Sequence, residues 1–149
     1  MKKPHKETVI ACVLFVLAVA AAAGLAYAIT LVVAPINVTF DGDAFTLKCL
    51  YHSETIAFDE IESVTLSDDY RSKTKKGYGG QAKEFGVYKN EELGSHYRLT
   101  YTENQNNYII CLKKDGSATV FNQKTKTKTE ELYEKILSKI TPQAQQEND

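Results

Sequence analysis

The sequence predicts an N-terminal transmembrane α-helix followed by a mainly-β domain that ends in one amphipathic helix. Three observations lead to this fold class. No charged residue occurs from Thr8 to Phe40, short runs of alternating apolar residues separated by turn residues follow, and apolar residues take helical spacing only after Thr127. The 149 residues, 43% of them apolar and 25% charged, are typical of one globular domain. The 18 basic and 19 acidic residues exclude a strongly basic nucleic-acid binder.

The membrane segment is the uncharged run. From Val9 to Ala34 nearly every residue is apolar, and these 26 residues would form a helix about 39 Å long, whereas a bilayer core needs only about 20 residues. We therefore expect a short N-terminus at 1–7 and a membrane anchor at 8–34. A signal peptide cleaved near Ala28 is the alternative, since Ala26-Tyr27-Ala28 has the A-x-A form. The apolar run exceeds the usual signal-peptide length, which favours an uncleaved signal anchor.

The direction of insertion follows from the flanking lysines. Lys2, Lys3 and Lys6 precede the apolar run, and the next basic residue after it is Lys48. The positive-inside rule therefore predicts a single-pass protein of the cell membrane, with a cytoplasmic N-terminus and an extracytoplasmic domain. A cleaved signal peptide would place the domain on the same side.

Small residues recur along the membrane segment at Ala20, Gly24 and Ala28. This spacing allows two helices to approach closely and would support self-association. An alanine-rich helix also produces the spacing by chance, and we prefer that interpretation.

The region after the membrane segment has the pattern of a β-domain at 36–141. We expect seven or eight short strands, mostly antiparallel because the connections are too short for parallel crossovers. Asp41-Gly42-Asp43 and Lys114-Asp115-Gly116 are predicted turns. The expected buried core consists of Phe45, Leu47, Ile61, Val64, Leu99, Ile110, Leu132 and Ile136.

The C-terminal helix is predicted from apolar residues at helical spacing, namely Leu132, Tyr133, Ile136, Leu137 and Ile140. Thr127 with Glu130 fits a capping box, and Thr129 is an equally good N-cap. Pro142 is expected to end the helix, which leaves a polar tail at 142–149.

One stretch of this domain is similar to a known family. Ile56-Ala57-Phe58-Asp59-Glu60-Ile61-Glu62-Ser63-Val64 resembles a pattern of bacterial pleckstrin-homology-like domain proteins, and the glycine-containing middle and the ending Val120 to Tyr133 are also similar. The resemblance implies a membrane-anchored, open barrel or sandwich of about seven antiparallel strands with one C-terminal helix. It implies no phosphoinositide site, because neither candidate first-hairpin turn contains Lys or Arg. Some relatives have two spans, whereas this chain has one.

The most unusual segment is a basic, glycine-rich stretch. Arg71, Lys73, Lys75 and Lys76 place four cations within six residues, and Gly77-Tyr78-Gly79-Gly80 follows. We interpret residues 71–80 as a long loop, because about 15 residues separate the flanking predicted strands. These four cations and Tyr78 form a candidate surface for an anionic ligand. A solvated, flexible loop is the alternative.

Two cysteines of the domain, Cys49 and Cys111, lie in predicted strands. Outside the cytoplasm they could form a disulfide, and the alternative is two small buried thiols. A zinc site formed by Cys49, His52, His96 and Cys111 is not expected, because Cys49 and His52 are three apart on an extended chain and should diverge. His52 is expected at an exposed hairpin tip.

No residue pattern indicates an enzyme. Ser95 and His96 are neighbours on a predicted strand, so their side chains face opposite sides and cannot form a nucleophile–base pair. We expect no catalytic residue, no metal and no cofactor. The sequence instead predicts a non-enzymatic interaction or scaffold module with an unidentified protein partner, or, as the second hypothesis, a module that binds an anionic envelope component or lipid.

Overall fold

The computed structural model describes residues 6–50, 52–80 and 82–146; the side chains at 31–33, 74–75 and 141–146 lie outside this description. The chain divides into two compact units, one ending at Ala34 and one beginning at Pro35. The described elements are, in order, α1 (Lys6–Val33), β1 (Asn37–Asp41), β2 (Ala44–Cys49), β3 (His52–Ala57), a 3₁₀ turn (Phe58–Glu60), β4 (Ile61–Ser67), β5 (Lys73–Gly79), β6 (Lys83–Asn90), β7 (Gly94–Tyr101), a second 3₁₀ turn (Thr102–Asn104), β8 (Tyr108–Lys113), β9 (Ala118–Phe121) and α2 (Lys126–Gln146).

Helix α1 is apolar on all sides. It has 28 residues, and its exposed side chains include Leu14, Phe15 and Leu25. It is the one helix within the described residues that is long and apolar enough to cross a membrane. The predicted N-terminal apolar helix is therefore present, whereas its orientation stays a prediction.

The second unit contains a small sheet with the order β1-β2-β3, in which both pairs are antiparallel. The predicted turn at Gly42 connects β1 and β2. Phe45, Leu47 and Cys49 alternate along β2 with more exposed residues and are all buried. One face of this sheet therefore supplies core side chains.

The larger sheet has six strands in the order β4-β8-β9-β7-β6-β5 and is not closed into a barrel. Its neighbouring strands are antiparallel except for β7 and β9. The chain reverses direction between β7 and β8 and again between β8 and β9, so β9 runs parallel to β7. The mostly antiparallel arrangement agrees with the sequence. The described residues form nine strands rather than seven or eight.

Side chains on one face of the large sheet pack with the small sheet and α2. This core includes Phe45, Ile56, Leu99, Phe121 and Ile136, all nearly inaccessible to solvent. Six of the eight predicted core residues are buried, whereas Val64 and Ile110 are half-buried.

Ile110 faces the opposite side of the sheet and packs against a second cluster formed by Tyr70, Tyr108 and Val120. Its neighbour Ile109 points into the main core and is fully buried. Side chains alternate along a strand, so only one of these two isoleucines can face the core.

Both ends of α2 differ from the sequence prediction. Thr125 caps the first turn, since its hydroxyl oxygen accepts a hydrogen bond from the Lys128 amide at 3.3 Å. Thr129 is instead buried within the first turns, where its hydroxyl donates to the Thr125 carbonyl at 3.0 Å. The helix continues through Pro142 to Gln146. Pro142 has no amide hydrogen to donate to the Ser138 carbonyl, so it removes one hydrogen bond from the last turns without ending the helix.

The connection from β4 to β5 crosses the large sheet from one edge to the other. We call residues 68–72, which form this crossing, the strap. Six chain steps from Ser67 to Lys73 span at most about 22 Å, whereas five strand spacings in a flat sheet add to about 24 Å. The sheet must therefore curl so that its edges approach, and Tyr70 of the strap packs into the concave face.

Candidate functional site

Most of the basic segment 71–80, namely residues 73–79, is a strand and not a loop, which corrects the sequence prediction. Residues 73–79 form β5, which pairs with β6 in an antiparallel hairpin. Lysine and glycine are poor strand formers, so the local sequence gave no strand signal. The pairing with β6 and the stacking of Tyr78 on Phe85, with ring centroids 5.2 Å apart, stabilise the strand instead.

A β-bulge decides which side chains of the hairpin lie together. Lys73 is opposite Lys89 and Lys76 is opposite Val87, with a register shift between Thr74 and Lys76. Residues three apart on a regular strand would face opposite sides, but the extra residue of the bulge brings both lysines to one face. Lys73, Lys76 and Lys89 are all exposed. We call these three residues the lysine face.

The charge of the hairpin is unbalanced. Residues 73–90 contain five lysines and one acidic residue, Glu84. Glu84 lies on the opposite face, where its Oε2 forms an ion pair with Arg98 Nη2 at 2.5 Å. Lys83 is buried with its ammonium over the Tyr101 ring, 5.4 Å from the centroid, and burial lowers the pKa of this lysine. The hairpin thus brings no carboxylate to the lysine face.

The other members of the predicted anionic-ligand surface are placed differently. Arg71 belongs to the strap; it is 91% exposed and donates from Nε to Asp69 Oδ1 at 3.2 Å. Tyr78 is half-buried, and its carbonyl accepts a hydrogen bond from the Tyr88 hydroxyl at 3.3 Å. The side chain of Lys75 lies outside the described residues. The structure therefore brings together Lys73, Lys76 and a residue that the sequence did not indicate, Lys89.

An open recess of about 900 Å³ lies where the strap meets the β6–β7 turn. Its charged lining is mixed, with cations from Arg71, Lys73 and Lys89 and carboxylates from Asp69, Glu91 and Glu92. The recess therefore favours neither sign of charge by itself.

Arg98 forms a buried cluster on the concave face that sequence reasoning missed. Its guanidinium carbon lies 5.1 Å from the ring centroids of Tyr70 and Tyr88 and 5.4 Å from that of Tyr108. It also donates from Nε to the Thr100 hydroxyl at 2.9 Å. The alternation of polar residues at 96, 98 and 100 along β7 was the only sequence signal for this cluster.

Hydrogen bonds fasten the strap to this cluster. Arg98 Nη1 donates to the Ser72 hydroxyl at 3.4 Å, and Tyr70 is hydrogen-bonded to His96 Nε2. The Nδ1 of His96 lies 3.0 Å from the Gly94 carbonyl, which only accepts, so Nε2 accepts from the Tyr70 hydroxyl. Burial raises the pKa of Tyr70 and lowers the pKa of His96. Both groups are therefore neutral while the strap is in place.

A second polar cluster joins the two sheets. Glu54 of β3 accepts hydrogen bonds from Lys113 Nζ and the Thr119 hydroxyl, each at 3.0 Å. His52 stacks on Tyr97 with ring centroids 3.8 Å apart, and burial raises the pKa of Tyr97 to about 12. His52 is thus partly buried rather than exposed at a hairpin tip.

Cys49 and Cys111 are both buried, free thiols. Burial raises the pKa of both thiols, that of Cys111 to about 12, which disfavours the reactive thiolate. The disulfide stays a prediction. Cys49 and His52 are cross-strand partners in the β2–β3 hairpin, so they do not diverge as the sequence suggested, because a tight turn lies between them. Among the described residues no group of three or more His, Cys, Asp or Glu could hold a metal ion.

Ser95 and His96 lie on opposite faces of β7. Ser95 is exposed, whereas His96 is buried and engaged by Tyr70. Their geometry therefore offers no nucleophile–base pair.

No family model, curated protein or solved structure matches this chain. Its class is therefore given by architecture alone: an N-terminal apolar helix and a β-rich domain of two sheets with a C-terminal helix.

Proposed function

We propose that this protein is a single-pass membrane protein that displays a non-enzymatic interaction module outside the cytoplasm. Helix α1 is the anchor. Three lysines precede the apolar run, whereas no basic residue follows it before Lys48, and this asymmetry supports a cytoplasmic N-terminus. A protease that cannot cross the membrane should digest the domain in intact cells. Digestion only after lysis would contradict the proposed orientation.

The observation that carries the proposed function is the lysine face. Lys73 and Lys89 are directly opposite each other on β5 and β6, and like charges in this position destabilise a strand pair. An anionic partner would relieve this repulsion. Residues 35–149 contain 15 basic and 18 acidic side chains, and Asp69, Glu91 and Glu92 line the recess beside Lys73 and Lys89, so the positive area is limited to the lysine face itself.

The surface composition favours polar recognition. Among the described residues, the large hydrophobic side chains that are exposed to solvent all belong to α1. A large apolar interface on the domain therefore has no support, whereas charge complementarity does. We take an acidic segment of a partner protein as the leading partner. An anionic envelope polymer or lipid is the second candidate, because the lysine face attracts any anion.

The proposed test uses full-length protein in nanodiscs of neutral lipid. Binding to polyglutamate and to vesicles with anionic lipid is measured at low and physiological salt for the wild type and for Lys73→Gln/Lys76→Gln/Lys89→Gln. The control changes the three exposed lysines near the start of α2 to Gln (Lys124, Lys126 and Lys128), which removes the same charge elsewhere.

We expect the lysine-face variant to lose at least about tenfold in affinity, because each contact to an anion contributes to a salt-dependent attraction. The α2 control should bind like the wild type. Equal losses in both variants would show an unspecific charge effect and refute the proposed site. Binding to vesicles without binding to polyglutamate would favour the second candidate.

The resemblance to pleckstrin-homology-like proteins also remains part of the proposal. A β-domain followed by one amphipathic helix that packs on it supports the resemblance. The six-stranded sheet with a parallel β7–β9 pair departs from a simple antiparallel arrangement. Self-association through Ala20, Gly24 and Ala28 likewise stays a prediction, which cross-linking of a Gly24→Ile variant would test.

A further inference from the structure

Among the described strands, β5 is one of the two edges of the large sheet. It is the last strand in the order β4-β8-β9-β7-β6-β5 and pairs with β6 along one side. In an antiparallel pair only alternate backbone groups face the neighbour, so about half of the amide and carbonyl groups of β5 point away from β6. These outward groups can accept another strand.

We infer that β5 is the edge to which an extended, acidic segment of a partner protein adds as a further strand. This inference rests on the proposed function and specifies how the partner binds. Backbone hydrogen bonds to β5 would position the segment, and its carboxylates would contact the lysine face.

The other sheet edges are covered or engaged in the structure. Helix α2 packs against β4. Glu54 of β3 is held by Lys113 of β8, and Phe40 of β1 lies under the ammonium of Lys135, 4.1 Å from the ring centroid. Strand β5 pairs with β6 along one side and continues from the strap at its start. Among the four edges, β5 is therefore the best placed to accept a strand.

The lysines of β5 select the chemistry of the added strand. A second copy of β5 would bring lysine against lysine, and lysine on an edge strand is a common protection against such self-pairing. An acidic strand meets opposite charge at the same positions. The bulge extends this selectivity, because it places Lys73 and Lys76 on the same face as Lys89.

Glycines in β5 allow a backbone to approach. Gly77 and Gly79 have no side chain, and Gly77 lies so close to Gly86 of β6 that an added Cβ would collide with the β6 backbone. At Gly77 and Gly79 the concave face of the strand thus presents backbone, while Lys76 and Tyr78 supply side chains on the other face. This arrangement combines open backbone groups with charge selection.

The test uses full-length protein in neutral nanodiscs and a fluorescent peptide of alternating Glu, Thr, Glu and Val as the probe. Two versions of the peptide carry N-methyl groups on the odd or on the even residues, so that each lacks the backbone donors of one edge. A version with Lys in place of Glu is the charge control. Anisotropy measures affinity, and amide hydrogen exchange measures protection of residues 73–79.

We expect the acidic peptide to bind and to slow exchange in 73–79 but not in β4. One N-methylated version should bind at least about tenfold more weakly, and the Lys peptide should not bind. The Gln variant of the lysine face should also lose at least about tenfold in affinity, and its melting temperature should be no lower than that of the wild type, because the change removes the repulsion between Lys73 and Lys89.

Each contrary result is decisive. Equal binding of both N-methylated peptides, or no protection in 73–79, would refute strand addition and leave the lysine face as a site for anions, so the proposed function would survive. No binding of the acidic peptide up to about 1 mM would overturn the inference. If the wild-type protein binds neither polyglutamate nor anionic vesicles either, the proposed function itself is refuted.

Discussion

The ion pair between Arg98 and Glu84 gives the sharpest stability prediction. The Arg98 side chain is 8% exposed and that of Glu84 is 26% exposed, with 2.5 Å between Nη2 and Oε2. Removing one partner of a buried pair costs about 3–5 kcal/mol, because the other charge stays buried without compensation. Glu84 is partly solvated and Arg98 keeps its bonds to Thr100 and Ser72, so we expect Glu84→Gln to cost about 3 kcal/mol, the low end of that range.

A double-mutant cycle with Arg98→Met separates the pair from its surroundings. The double variant should cost about 1–3 kcal/mol less than the sum of the single changes. Urea unfolding of the full chain in mild detergent measures these energies through tyrosine fluorescence, since the chain has nine tyrosines and no tryptophan. Glu103→Gln, which breaks an exposed 4.0 Å pair with Lys124, is the matched control and should cost under about 0.5 kcal/mol. Additive single costs, or equal costs for the two Gln variants, would refute the reasoning.

Three further changes test the packing and the buried histidines. Gly86→Ala should cost about 2–4 kcal/mol of unfolding free energy, because Gly86 has a φ of +131° and an added Cβ would collide with the β5 backbone. The control Gly79→Ala meets only an ordinary 3.9 Å contact and should cost under about 1 kcal/mol. Urea midpoints compare the two variants. Ile136→Ala should cost about 2–5 kcal/mol in the same assay, because the Ile136 side chain of α2 is fully buried in the main core, and an unchanged midpoint would show that α2 does not pack there. Stability should fall as the pH drops below about 6.5, because burial lowers the pKa of both His52 and His96. In that pH range the folded state binds fewer protons than the unfolded chain. A His96→Gln variant should therefore flatten the dependence of the urea midpoint on pH.

Local signals predicted much of the fold. The length of the uncharged apolar run predicted α1, and glycine-containing turns predicted the β1–β2 and β8–β9 connections. The helical spacing of apolar residues predicted α2. These features depend on residues close in sequence, so one sequence contains their physical cause. The strand β5 escaped prediction because its stability comes from pairing with β6 rather than from its own residues.

The site could be predicted only in part. A cluster of cations at residues 71–76 is visible in the sequence, but its face is decided by a bulge and by Lys89, which is distant along the chain. The Arg98 cluster depends on tyrosines from the strap, β6 and β8, which only tertiary folding brings together. The pairing of strands in the folded sheet, and not the local composition, determines both the lysine face and the Arg98 cluster.

The insertion of β9 between β7 and β8 constrains the order in which the chain can fold. The hairpin β5–β6 and its extension to β7 pair residues that are close in sequence, so they can form early. Strand β4, by contrast, has no partner until β8 is synthesised, because Thr65 pairs with Ile110. All four residues of β9 are buried, so a chain that ends before Ala118 lacks the strand that joins the two halves of the sheet. Non-local closure of this kind makes folding slow, and it leaves the unpaired backbone edges of β7 and β8 open to wrong partners during synthesis until β9 is made.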